Sequence, residues 1–321
     1  MAVLTMVVLP SRIRDPLTKA PIVISNVFRR ISHALVRWFD TAAVPAPAAG
    51  SGAPTKRVDW VRVVPFIAMH AMCLGVFFVG WHPGAVAVAI GLYLVRMFAI
   101  TGFYHRYFSH RTFRTSRPVQ FLFALLGSSA TQRGPLWWAA HHRKHHRYSD
   151  TELDVHSPRQ HGFWWSHMGW ITSAESFATD LREVRDFARY PELRWLDRFD
   201  ILVPVLLATT LFLIGGMPYL IWGYFVSTVA LFHGTSLINS LAHRLGSRRY
   251  ETGDDSRNSL VLALVTLGEG WHNNHHKFPG AARQGFFWWE VDITYYGLVV
   301  LQWFRVIRDL RPVPARVLNA T

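Results

Sequence analysis

VVPFIAMHAMCLGVFFVGWHPGAVAVAIGLYLV, residues 63–95, contains no Asp, Glu, Lys or Arg in 33 positions. A second run, ILVPVLLATTLFLIGGMPYLIWGYFVSTVALFHGTSLINSLA (201–242), contains none in 42. A helix that crosses a bilayer needs about 20 apolar residues, so each run is long enough to cross twice. Each is also punctuated near its middle, by Trp81-His82-Pro83-Gly84 and by Gly215-Gly216-Met217-Pro218, and proline and glycine mark turns. The expected fold is an all-α integral membrane protein. Four transmembrane helices form two hairpins, near 63–81, 84–103, 200–216 and 219–242, under a cytosolic helical cap.

The charges agree. Of 34 Lys and Arg, 14 fall in 104–199, eight in 1–60 and ten in 244–321, and neither hairpin turn carries one. Positive residues stay on the cytoplasmic side, which places both termini and the long middle segment there and makes the chain multi-pass. A net charge of +14 otherwise suggests nucleic acid, but its distribution follows the membrane topology, and no nucleic-acid partner is expected. Charged residues are 17% of the chain, below the roughly 25% of soluble domains. One cysteine, Cys73, excludes a disulfide scaffold and a cysteine metal site.

Two parts are expected along the chain. Residues 1–59 form an N-terminal cytosolic arm, and 60–321 the membrane domain with its cap. Within the arm, residues 25–40 space Val27, Phe28, Ile31, Leu35 and Phe39 among Arg29, Arg30 and Arg37, which suits a helix lying on the membrane or packed on the body. Ala42 to Pro54 is an Ala/Pro/Gly linker. No cleavable signal peptide is expected, because the first apolar stretch is short and precedes any positive charge.

The 17 histidines are clustered. His105 and His110 form HxxxxH, His142, His145 and His146 form HxxHH, His243 ends Asn239-Ser-Leu-Ala-His243, and His272, His275 and His276 form a second HxxHH. All nine are expected at or beyond cytoplasmic helix ends, with His105 just past the second span. On a helix, positions i, i+3 and i+4 share a face, so each HxxHH presents three imidazoles together. Imidazole suits iron, copper, nickel and zinc. Nine ligands exceed one metal's coordination and fit two, split four and five. His33, His70, His82 and His233 are read as ordinary residues, and His141, His156, His161 and His167 as neighbours that hydrogen-bond rather than ligate. HExxH is absent. Glu269-Gly-Trp-His272 matches the carboxylate di-iron pattern once, without the second copy it requires.

These segments resemble the membrane fatty-acyl desaturases, particularly the stearoyl-CoA (Δ9) branch, over residues 60–305. The strongest matches are YHRYFSHRTF (104–113), WWAAHHRKHHRYSD (137–150), GFWWSHMGW (162–170), NSLAH (239–243) and GEGWHNNHHKFP (268–279). The resemblance implies a di-iron centre, two iron ions held by the nine histidines, with Asn239 acting through a water. It implies a bent tunnel for the acyl chain, with Gln132, Trp138 and Thr235 at its kink and Tyr93 and Met97 at its closed end. Ala140 and His141 stand where animal acyl-CoA members carry an Arg-Asp pair, so the head group (CoA, acyl carrier protein or glycerolipid) stays open, with Arg133, Arg143 and Lys144 as substitute charges.

The implied reaction inserts a cis double bond into a saturated long-chain acyl group, using O2 and two electrons. A tunnel registers an unactivated chain by shape and burial, at about 0.8 kcal/mol per methylene. The chain carries no CxxC and no flavin or haem motif, so electrons are expected from a separate ferredoxin- or cytochrome b5-type carrier with its reductase. The basic middle segment suits an acidic carrier or anionic lipid. Two rivals are a histidine-box hydroxylase or monooxygenase, and a non-catalytic membrane metal-binding or transport protein. Transporters place their sites near the midplane, whereas these histidines cluster on one side.

Overall fold

In the computed structural model the apolar runs are helices. Residues 36–43 and 56–319 are described, so most of the expected 25–40 helix and of the 42–54 linker lies outside the described residues. The described residues from Arg37 onward belong to one compact unit. Among the described residues three helical stretches are long and apolar enough to cross a membrane: Trp60–Val79 (α1), Pro83–Ser109 (α2) and Leu202–Leu241.

Glycine lets α1 end, with Gly80 at φ 66°, and α2 begins at once. Its first turn is capped by the His82 ring, which accepts from the Ala85 amide at 3.2 Å, and Pro83 follows where a missing N–H costs nothing. From Ala99 to Ser109 the turns widen to the i→i+5 pattern, and the His110 amide donates to the His105 carbonyl at 3.2 Å. The helix therefore runs six residues past its expected end at 103. His105 sits inside it rather than beyond it, because the wide turns carry the helix into the cap with all eleven residues buried.

The cap is built on that wide-turn segment. Arg117–Ser128 (α3) lies against it: Phe103 stacks on Phe123 at 3.7 Å, and the Tyr104 ring fills the space over Gly127, where a Cβ would come within 2.0 Å of it. Pro135–Tyr148 (α4) carries the first HxxHH. Its N-terminus is satisfied from a distance by Asp197 of Pro191–Arg198 (α5), whose Oδ1 accepts from the Leu136 and Trp137 amides at 2.9 and 2.8 Å. That contact answers the unpaired donors every helix start presents.

The third long stretch, Leu202–Leu241 (α6), leaves helical geometry at Gly215 (φ −138°) and Gly216 (φ 63°), where the sequence places a turn. Close approach elsewhere also needs glycine: a Cβ on Gly75 of α1 would meet Ile221 of α6 at 2.6 Å. Leu260–Val265 (α7) and His272–Lys277 (α8) follow, then Ile293–Trp303 (α9). A two-residue antiparallel tie joins Arg114–Thr115 (β1) to Ile307–Arg308 (β2). Phe77, Phe78, Leu213 and Ile214, beside the two breaks, are exposed, as lipid-facing side chains are.

Candidate metal centre

The nine motif histidines converge. His105, His110, His142, His146 and His275 form one group, and His145, His243, His272 and His276 a second; within each, the ligand nitrogens lie within 4.8 Å of one another. α4 and α8 each supply both groups. α2 supplies a pair five apart, and its wide turns explain that spacing. In an α-helix residues i and i+5 diverge, whereas an i→i+5 turn brings them to nearly one face, and the His105 and His110 rings are 4.9 Å apart.

In the five-ring group Nε2 atoms face each other: His105–His275 at 3.0 Å, His110–His142 at 2.8 Å, His142–His146 at 3.0 Å and His146–His275 at 2.9 Å. In the four-ring group His243 and His272 face at 3.1 Å. The backs of several rings are fixed by carboxylates. His145 Nδ1 donates to Asp154 at 2.9 Å, His243 Nδ1 to Asp150 at 2.8 Å and His276 Nδ1 to Asp254 at 2.5 Å; His105 Nδ1 pairs with Glu269. A neutral ring that donates from Nδ1 has only a lone pair at Nε2. Among the described residues His276 Nε2 is buried with no hydrogen-bond partner. Converging imidazole lone pairs, oriented from behind, fit a pair of metal cations.

Protonation is disfavoured at six of the nine rings, while at His145 burial is outweighed by the Asp154 carboxylate, which favours it. Burial first, and the charge of neighbouring rings second, hold His110, His142, His146, His272 and His275 well below the ordinary histidine value. Burial takes His276 down to about 4 despite Asp254. Neutral imidazole is the form that ligates.

Sequence reasoning missed these carboxylates as orienting groups. Glu269 was weighed only as a ligand; it instead pairs with His105 and with Arg106, and Gln284 Nε2 donates to it at 3.0 Å. The signal was available in Asp150, Asp154 and Asp254, acids beside histidine motifs in a basic segment. The two asparagines inside His272-Asn-Asn-His275-His276 were also missed. Asn273 Oδ1 accepts from the Arg249 and Tyr250 amides at 2.9 and 2.7 Å. Asn274 Nδ2 donates to Glu290 at 2.8 Å. They tie a six-residue helix, too short to persist alone, to its surroundings.

The other histidines have their own partners. His141 Nδ1 donates to the Trp137 carbonyl at 3.0 Å, and His161 Nε2 to that of Asp154 at 3.0 Å. His167 pairs with Ser240 and His233, both at 2.9 Å, and His233 with His70 at 3.1 Å. His156 forms a close group with His145 and Asp154, sharing His145 with the second cluster. His33 lies outside the described residues.

A cavity of about 670 Å³ runs up to the cluster, within the range of about 300–1,000 Å³ usual for small-molecule sites. His142 is in its wall, with Asn239, Gln132, Trp138 and Thr235, and apolar residues of α1 and α6 complete it. Gln132 Nε2 donates to Thr235 Oγ1 at 2.9 Å. Tyr93 and Met97 are not in this wall. Tyr93 donates to the Val265 carbonyl at 2.8 Å, and Met97 is fully buried against Gly234, the residue before Thr235.

Residues 79–292 match the family profile described as fatty acid desaturase. The chain belongs to the fatty acid desaturase family. The desaturase is 38% identical over 266 residues to an sn-2 palmitoyl-lipid 9-desaturase of Nostoc sp. (strain 36), covering 80% of this chain and 90% of that one. It is 39% identical over 251 residues to an sn-1 stearoyl-lipid 9-desaturase of Anabaena variabilis, covering 77% and 91%. It is 36% identical over 277 residues to an acyl-CoA 5-desaturase of Anemone leveillei, covering 82% and 85%. The protein is therefore an oxidoreductase that desaturates long-chain fatty acyl groups, and an integral membrane protein by its family and its apolar helices. The hydroxylase and transporter alternatives fall away.

Proposed function

We propose that the desaturase inserts a cis Δ9 double bond into a saturated long-chain acyl group, with two irons held by the nine histidines. The observation that carries this is the cavity wall: the apolar space that suits an acyl chain ends on His142, a member of the five-ring group. Relatives that act at position 9 support the regiochemistry. The bound irons would supply the oxygen activation and hydrogen removal that an unactivated chain requires.

The chain's own residues supply the rest. His105, His110, His142, His146 and His275 hold one iron, and His145, His243, His272 and His276 the other, with Asn239 holding a water. Asp150, Asp154, Asp254 and Glu269 keep ring faces turned inward. Gln132, Trp138 and Thr235 bend the acyl chain, and Tyr93 and Met97, which lie behind the cavity wall against Gly234, close the tunnel once the chain reaches past Thr235. Apolar walls exclude water and fix which methylenes stand beside the cluster. Four spans in two hairpins, divided by the Gly80 and Gly215-Gly216 breaks, keep both termini and the metal site cytoplasmic. Two electrons arrive from an external ferredoxin- or cytochrome b5-type carrier with its reductase.

Gas chromatography of lipids from a host expressing the chain tests this. A new Δ9 monounsaturated acyl group is expected, and His145→Ala or His275→Ala should abolish it. Full activity in either variant overturns the ligand assignment.

A further inference from the structure

Three arginines reach the cavity wall, and two have answered charges. Arg37 pairs with Asp59. Arg133 pairs with Asp200 at 3.1 Å and donates from Nη2 to the Phe177 carbonyl at 2.8 Å. Arg143, expected as a substitute charge, is bound to Asp186 at 2.8 Å and to backbone carbonyls. Arg62 differs. It is 6% exposed, and among the described residues none of Nε, Nη1 and Nη2 has a hydrogen-bond partner. Its guanidinium is held over the Phe177 ring at 4.1 Å and lines the cavity.

A buried guanidinium with no acceptor is costly, and a ligand anion in the cavity would relieve it. Two further observations bear on which anion. Among the described residues the wall's three arginines face two carboxylates, Asp59 and Asp200, and Asp200 also acts on Arg62 through space, so one net positive charge is left, which matches one phosphodiester and falls short of the several charges of a coenzyme A head group. The cavity wall also includes Val64 and Met72 of α1 and Val205 of α6, which are 51%, 38% and 50% exposed. These lie on stretches apolar enough to cross a membrane, so the cavity meets hydrocarbon sideways. Arg62 is the third residue of α1, at one end of a stretch apolar enough to cross a membrane, and long basic side chains at such ends reach toward the interface.

Resting on the desaturase reading, we infer that the acyl chain enters laterally from the bilayer while still esterified in a glycerophospholipid, and that Arg62 binds its phosphodiester. The guanidinium donates in a fork to two phosphate oxygens. The chain then passes inward toward His142, so the head group sets how many methylenes precede the reacting bond.

The cavity reports its own occupancy, because Trp38, Trp137, Trp138 and Trp170 line it. Tryptophan quenching by dibromostearoyl phosphatidylglycerol, dibromostearoyl diacylglycerol and dibromostearoyl-CoA would be titrated into the purified protein. The phospholipid should quench at the lowest concentration. Arg62→Met should raise its half-saturating concentration at least tenfold and leave the diacylglycerol curve in place. Arg62→Lys, which keeps the charge and loses the fork, should raise it severalfold, and it carries the test if the Met variant does not fold. An unchanged phospholipid curve in the folded variant overturns the inference, as does tighter, Arg62-dependent binding of the CoA thioester. Quenching needs no turnover. Unsaturated product with Arg62-independent binding sinks this inference alone, and its absence from host lipids sinks the desaturase reading alone.

Discussion

Asp254 is a small part with a large lever. It grips His276 Nδ1 at 2.5 Å, and the opposite nitrogen of that ring is the one left bare. Removing the carboxylate frees the ring to rotate and to change tautomer, a loss worth about 10–100-fold in metal affinity or activity. Asp254→Asn is expected to fall in that range while the membrane-inserted protein level holds; iron content per protein checks it. Met97 belongs to the same scale. It lies against Gly234, one residue from Thr235 in the cavity wall. If it closes the tunnel, Met97→Ala lengthens the space by a few methylenes. The product ratio should then move from sixteen toward eighteen carbons with the double bond fixed, as read by gas chromatography. An unchanged ratio in an active variant places Met97 in helix packing alone. The histidines were readable as residues because a metal needs imidazoles in reach of one another. Arg62 was not readable, since a sequence shows that an arginine is present and not whether anything answers it.

Among elements, α4 carries three ligands and depends on a cap from α5. Asp197 accepts two amides of its first turn, yet burial raises its pKa to about 6. A group that binds its proton more tightly when folded contributes most below the unfolded value of 3.8 and loses that contribution as pH rises through about 6. The Asp197 share of thermal stability should therefore decline over that interval, against the rise that the six proton-poor histidines bring as pH climbs towards 6.5. Asp197→Asn, which keeps an acceptor and has no charge to bury, should gain on the wild type as pH rises through about 6, whereas Asp197→Ala should cost about 1 kcal/mol. Scanning calorimetry in detergent from pH 4 to 8 checks both. Helix breaks were legible, because Gly215 and Gly216 announce themselves in an apolar run. The extension of α2 to Ser109 was not. Widening depends on what the cap packs against Ala99–Ser109, and HxxxxH hinted at it only through a spacing that suits no α-helix face.

For the whole molecule, the charge pattern predicts orientation. With Cys73→Ser as background, a cysteine at exposed Glu152 should be protected from an impermeant thiol reagent in intact cells, and one at Met217 should be labelled. The reverse result inverts the topology. Glu152 is the better probe of the middle segment because neighbouring Asp150 is committed to His243. The gross architecture was legible because hydrocarbon tolerates few alternatives. The cavity was legible only through resemblance, since its wall draws on segments as distant as Arg37 and Asn239.

α4 and α8 each contribute to both histidine groups: His142 and His146 against His145 on one, His275 against His272 and His276 on the other. Neither half of the centre can be assembled while either helix is out of place. If the first ion to bind tightens both helices beyond what the Asp197 cap and the Asn273 and Asn274 anchors already do, its successor meets less of the entropy of ordering. Loading is then expected to be cooperative, and native mass spectrometry during iron titration checks it: one-ion protein should stay below the statistical share, and a statistical share removes the coupling. A cell short of iron would hold a mixture of full and empty molecules, so its output of unsaturated lipid would scale with the number of complete enzymes rather than with a graded weakening of each.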